Sequence, residues 1–165
     1  MPAKKLREFL DSQNIAYKTM SHAVAYTARE TAVLTHVSTK ELAKTVIVKI
    51  DGVLAMAVIP ASYEVDLSLL RAATGARIVT LAKESEFKDR FPECEIGAMP
   101  PFGNLYGMAV YVDESVTKDK EIAFNAGSHY ELMQISYTDF ERVVMPRVLK
   151  FTALRDPELM GAWHL

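Results

Sequence analysis

Leu6, Phe9 and Leu10 fall at helical spacing within residues 3–13, so the chain should open on an amphipathic helix. The pattern then changes period. Thr45-Val-Ile-Val-Lys-Ile50 is rich in β-branched residues, and Val53-Leu-Ala-Met-Ala-Val-Ile59 is apolar throughout; each reads as a strand. Asp51-Gly52 between them supplies the two residues of a tight hairpin turn. Residues 77–80, 108–112, 121–125 and 129–135 read as further strands, the last two joined by Ala126-Gly127-Ser128. Helix starts are marked by side chains that can hold the first unpaired amides. Thr27 and Glu30 have capping-box spacing and start a helix to about Leu34, and Ser38 and Glu41 repeat that spacing before the first hairpin strand. Asp66 caps a helix over 67–74 that Gly75 stops. Residues 83–91 form a helix ended by Pro92, and 137–143 form the last one. From Pro146 the periodicity is lost, which predicts one domain over residues 1–145 and a partly disordered tail over 146–165. Helices and hairpin strands mix without regular βαβ alternation. The expected fold is a single α+β domain, with a mixed, barrel-like β-sheet surrounded by helices.

Composition narrows the class. The chain has 165 residues, 50% of them hydrophobic and 24% charged, which is ordinary for a globular domain that needs no disulfide or metal to fold. Its one cysteine, Cys94, cannot bridge internally, which fits a reducing compartment. No apolar run reaches membrane-spanning length, and the charged start lacks a hydrophobic signal core. The cytoplasm is the expected location, with no membrane partner. The net charge of −2 argues against a grip on a long nucleic-acid duplex. Any contact with nucleic acid must be local.

Two features carry candidate chemistry. Ile96-Gly-Ala-Met-Pro-Pro-Phe-Gly103 places two prolines inside a pair of glycines, which excludes a helix interior or a central strand. It must be a stiff loop, either a tight connection or a device that aims backbone amides at a ligand. Lys44 lies where a polar segment gives way to the first hairpin strand, at the mouth of the hairpin. Such a lysine is either a solvated end charge or a ligand contact. Other chemistries lack their signatures: there is no G-x-S-x-G, no H-E-x-x-H and no phosphate-binding loop. The acidic neighbours of Cys94 disfavour a reactive thiolate. His22, His36, His129 and His164 show no metal-ligand spacing, so neither metal nor cofactor is expected. His129 at a strand start and His22 before the Thr27 cap are each either surface residues or ligand contacts.

Taken in order, these pieces resemble the YbaK-like aminoacyl-tRNA deacylases, freestanding relatives of the editing insertion domain of bacterial prolyl-tRNA synthetase. The matching elements are His22 with Thr27-Ala-Arg-Glu30, Lys44-Thr45, Ile59-Pro60-Ala61, Val65-Asp66, the Gly97–Gly103 loop, Val112-Asp113, and Phe124-Asn-Ala-Gly127-Ser-His129. The similarity as a whole covers about residues 3 to 145. The resemblance implies hydrolysis of the ester joining a wrong amino acid to tRNA, without metal or cofactor. The lysine matching Lys44 is the family's main functional residue, and the glycine–proline loop shapes its amino-acid pocket. An aminoacyl ester is already activated, so no strong nucleophile is required, and positioning a water or using the neighbouring ribose hydroxyl suffices. The enzyme must mainly stabilise the oxyanion. Lys44 with the amides of Gly97, Ala98 and Met99 is the expected catalytic set. His22, Thr27, Thr45, Pro100, Pro101, Gly127, Ser128 and His129 are the expected substrate-binding residues. Three positions depart from the best-known specificities. Members that remove alanine from proline tRNA tend to carry asparagine at Thr45. Cysteine-removing members carry tyrosine at Met20 and aspartate at Leu132. The amino acid, the tRNA and the oligomeric state are therefore left open. The expected partner is the tRNA acceptor end, with an aminoacyl-tRNA synthetase as a second candidate. The alternative is a non-catalytic module that binds an aminoacyl or nucleotide-like group.

Overall fold

The computed structural model describes residues 4–154. Helix α1 (Lys4–Ser12) leads into β1 (Lys18–Ser21) and α2 (Ala28–Thr35). The hairpin β2 (Ala43–Ile50) and β3 (Val53–Pro60) follows, then β4 (Tyr63–Val65), α3 (Leu67–Thr74), β5 (Val79–Leu81) and α4 (Glu84–Phe87). After the glycine–proline loop come β6 (Ala109–Asp113), β7 (Glu121–Asn125), β8 (Glu131–Ser136), α5 (Tyr137–Val144), β9 (Arg147–Leu149) and β10 (Thr152–Leu154).

Most elements form for the local reasons read from the sequence. Leu6 and Leu10 of α1 are fully buried. Asp51 and Gly52 both have positive φ, 49° and 82°, which is the backbone a two-residue hairpin turn needs. Asp51 also caps the approach to β5, its Oδ1 accepting from the amides of Arg77 and Ile78 at 2.9 Å each. Thr27 accepts from the Glu30 amide at 3.1 Å to cap α2, and Asp66 accepts from the Leu69 amide at 3.0 Å to cap α3. Gly75 ends α3 in the left-handed region. The predicted helix over 83–91 is α4 followed by a single 3-10 turn, Lys88–Arg90. Pro92 disfavours helical backbone at Phe91, so the last turn tightens and stops. Ser38 and Glu41 cap no helix. The Ser38 carbonyl accepts from the amides of Glu41 and Leu42 in a turn that delivers the chain to β2.

The strands do not close into a barrel. They form a five-stranded sheet in the order β5-β2-β3-β6-β9, a three-stranded sheet β1-β8-β7, and a pair β10-β4. The two larger sheets meet at one bridge, Leu42 with Ala123. The reason is burial on both faces. One face of the large sheet packs on the main core with Phe91, Phe102, Phe124 and Phe140. The other, which carries Val48, Ala57 and Ile59, packs on Leu70 and Phe151. A sheet sandwiched in this way is completed by layers rather than by curling on itself. The fold is a single α+β domain.

The first part of the segment after Pro146 is ordered. β9 pairs in parallel with β6, and β10 pairs antiparallel with β4. Strands of three residues are too short to leave a readable period, and their partners supply the order. Residues 155–165 of the expected tail lie outside the described residues. The anchor is Asp113, which is 1% exposed. Its Oδ1 accepts from the buried Phe151 amide at 2.8 Å, and its Oδ2 accepts from the amide and hydroxyl of Ser115. Asp113→Ala strands the Phe151 amide in an apolar core, so we expect a loss of about 2–3 kcal/mol. A thermal melt should fall by roughly 4–12 °C; an unchanged melt would contradict this anchoring role.

Candidate functional site

A cavity of about 580 Å³ opens where several chain reversals meet. The entry to β2 supplies Ala43 and Lys44, and the β3–β4 turn supplies Ala61 and Ser62. Tyr26, Thr27 and Arg29 come from the start of α2, Gly97 from the glycine–proline loop, and Asn125 and His129 from the β7–β8 connection. The Ala61 amide donates to the Leu42 carbonyl at 2.7 Å, which holds the end of the hairpin shut beside Lys44.

Strand alternation decides which way each β2 side chain points. Val46, Val48 and Ile50 face the core around Phe151, while Ala43 and Ile47 face the main core. Lys44 shares the first set's side and reaches the cavity where that core ends. Thr45 takes the opposite side. Its hydroxyl is buried, and Thr45 does not line the cavity. Burial pushes the Lys44 ammonium below the ordinary lysine range, and attraction from Glu64 offsets part of that fall. Glu64 lines the same cavity. The lysine is thus a partly desolvated cation beside one carboxylate.

The opposite wall is two interlocked loops. The Glu95 amide donates to the Gly127 carbonyl at 2.8 Å, the Gly127 amide to the Ala98 carbonyl at 2.9 Å, and the Ala98 amide to the Glu95 carbonyl at 3.0 Å. The Glu95 carboxylate accepts from the His129 amide at 2.7 Å. His129 Nε2 lies 2.9 Å from the Ile96 carbonyl, a contact that requires the proton on that nitrogen. Gly97 has φ +87°, and a Cβ there would meet the His129 ring at 3.4 Å. Its amide faces the Met99 sulfur at 3.3 Å, a weak acceptor.

The geometry gathers Lys44, Gly97, Thr27 and His129 around one space. The rest of the expected site stands behind it. Ala98, Met99, Pro100 and Pro101 are buried, and Met99 packs in the main core, so these residues brace the loop without lining the cavity. Gly127 and Ser128 are buried in the interlock, and His22 turns its Nδ1 to the Ala23 carbonyl at 2.7 Å. Residues absent from the expected set also line it, among them Tyr26, Arg29, Glu64 and Asn125. Arg29 and Asn125 sit inside motifs already singled out. Glu64 had no such signal, because a three-residue strand places it. Cys94 lies away from the cavity with its thiol 3.8 Å from the Tyr106 hydroxyl, and burial raises its pKa. Among the described residues, no group of three or more His, Cys, Asp or Glu is placed to hold a metal ion.

The sequence profile described as Aminoacyl-tRNA editing domain matches residues 22–143, which take in every residue of this cavity. The chain belongs to the aminoacyl-tRNA editing domain family. Editing-domain members are hydrolases, and this one is a trans-editing hydrolase that cleaves the ester of mischarged aminoacyl-tRNA to amino acid and tRNA. The Multifunctional Ser/Thr-tRNA deacylase ProXp-y of Escherichia coli (strain K12) is 24% identical over 153 residues, covering 90% of this chain and 91% of that protein. The protein of that name in Escherichia coli O157:H7 gives the same figures. Among solved structures, a hypothetical protein superposes with a TM-score of 0.81 at 21% identity, covering 91% of this chain and all of that one. A proposed trans-editing enzyme for prolyl tRNA synthetase superposes at 0.79 with 16% identity, covering 92% of this chain and 96% of that one. These structures share the editing-domain fold.

The Lys44–Glu64 pair sets a pH expectation. Lys44 is charged below its pKa and loses its charge as pH rises through it. Because burial has lowered that pKa, the alkaline fall in kcat/KM should begin below the range of an ordinary lysine. Glu64→Gln removes an attraction that raises the pKa, so the fall should move to still lower pH. Rates corrected for spontaneous ester hydrolysis would show it; a limb that moves to higher pH would refute the pairing.

Proposed function

We propose that the ester of the mischarged tRNA lies in this cavity with its carbonyl oxygen toward Lys44 and Gly97. The observation that carries the reading is a partly desolvated lysine sharing one cavity with a glycine held at positive φ by an interlocked loop. Attack by a water, assisted by the neighbouring ribose hydroxyl, puts negative charge on the carbonyl oxygen, and the proton the water loses passes to the departing ribose oxygen. The Lys44 ammonium and the Gly97 amide stabilise it, and collapse expels the ribose oxygen. The Ala98 amide is already committed to the Glu95 carbonyl, whereas the Gly97 amide meets only the weakly accepting Met99 sulfur and can exchange it for an oxyanion, so the oxyanion role narrows to Lys44 and Gly97. His129 and Thr27 border the bound ester, and the remaining buried loop residues hold that wall in place.

The amino acid released is proposed to be small and hydroxylated, serine or threonine. Ala43, Ala61 and Leu132 are apolar parts of the cavity lining, and Thr31, Ser62 and Asn125 add hydroxyl- and amide-bearing side chains to it. A site that hydrogen-bonds a substrate hydroxyl rejects the analogue without one. The relative named as a Ser/Thr-tRNA deacylase supports the same choice. No helix among the described residues is long and apolar enough to cross a membrane. We place the reaction in the cytoplasm, where tRNA is charged, with an aminoacyl-tRNA synthetase as a candidate partner that co-purification would test.

The direct experiment is a panel of mischarged tRNAs with purified protein. Release should be fastest for seryl and threonyl esters, and Lys44→Ala should lower kcat by about 100- to 1,000-fold. The melt should hardly move, since the side chain ends outside the core. Binding across the panel without release would replace the hydrolase reading by a binding module. Gly97→Ala forces a side chain into the left-handed region and against His129. It should cost roughly 1–2 kcal/mol of stability and lower turnover by about tenfold or more through displacement of the amide. Wild-type turnover in that variant would reduce the loop to a connection.

A further inference from the structure

Tyr26 is 73% exposed, yet it lines the cavity and is not part of the core. Its ring lies on His129, with centroids 4.8 Å apart and planes tilted by 45°. Both neighbours of Tyr26 are fixed. The Ala25 amide donates to the His129 carbonyl at 3.1 Å, and Thr27 caps α2. His129 is itself held at its amide by Glu95 and at Nε2 by the Ile96 carbonyl. An aromatic face is therefore presented to solvent at the rim of a catalytic cavity, on a support that does not need to be ordered when a ligand arrives.

We infer that Tyr26, backed by His129, is the platform on which the terminal nucleobase of the tRNA stacks. The inference rests on the deacylase reading and extends it to the part of the substrate beyond the ester. A 580 Å³ cavity exceeds the needs of a small amino acid, and the base is one ribose away from the scissile bond. With a net charge of −2, the protein cannot draw its affinity from a broad electrostatic surface, so a local contact must supply it. Stacking on an aromatic ring is the usual means of holding an unpaired base. The other widely exposed apolar side chains, such as Val33 and Met145, lie off the cavity.

The test uses two non-hydrolysable probes with the ester replaced by an amide: 3′-seryl-amino-3′-deoxyadenosine and the same seryl amide on a base-free methyl riboside. Calorimetry on the full-length protein should show the adenosine probe binding about tenfold or more tighter than the base-free one. Tyr26→Ala should erase that difference while leaving the base-free probe unchanged, and Tyr26→Phe should keep it. With mischarged tRNA, Tyr26→Ala should raise KM by a similar factor and change kcat by less than about twofold. Equal binding of the two probes to the wild type would overturn the inference. So would a base preference that survives Tyr26→Ala, or a loss confined to kcat. The deacylase reading fails separately, if wild type releases no amino acid from any tRNA of the panel.

Discussion

The register of β2 on β3 is the constraint on which the site depends. Eight consecutive pairs run from Ala43 opposite Pro60 to Ile50 opposite Val53, closed by a turn that only Asp51 and Gly52 conformations allow. A slip of one residue would turn Lys44 to the main core and Thr45 to the cavity. The slip is expensive because β3 is buried on both faces from Ala55 onward. The hydrophobic content of the hairpin therefore fixes the position of a charge at its open end. The same packing desolvates the charge and lowers its pKa, which suits the proposed contact with one substrate oxygen.

Facing this lysine is a wall whose rigidity comes from hydrogen bonds between loops. Glu95 is its centre, since its amide, carbonyl and carboxylate each hold a different partner. Proline supplies the rest of the stiffness, and the buried Phe102 ties the loop to the aromatic core through Phe124 and Phe140. Little order has to be gained on binding, so binding energy is available for the transition state. This explains why so many residues of the glycine–proline motif are buried: they determine where Gly97 and His129 stand.

Local signals in the chain determined much of the fold. The α1 stripe, the Thr27 and Asp66 caps, the Asp51-Gly52 turn and the apolar hairpin each act over a few residues, and each forms as read. Lys44, Gly97, Thr27 and His129, which line one cavity, were legible as candidates because each sits at a break in pattern. What the chain could not reveal depends on distant partners. Whether the sheet closes depends on what covers its two faces. β9 and β10 are strands only because β6, β4 and Asp113 receive them. Thr45 and Met99 were placed in the site by proximity in sequence, but strand alternation and core packing turned them away. Tyr26 and Glu64 reach the cavity from segments with no periodic signal. Sequence fixes short-range conformation through backbone preference and capping; the side a residue faces, and what lies opposite it, are set by burial, which is a property of the whole packed chain.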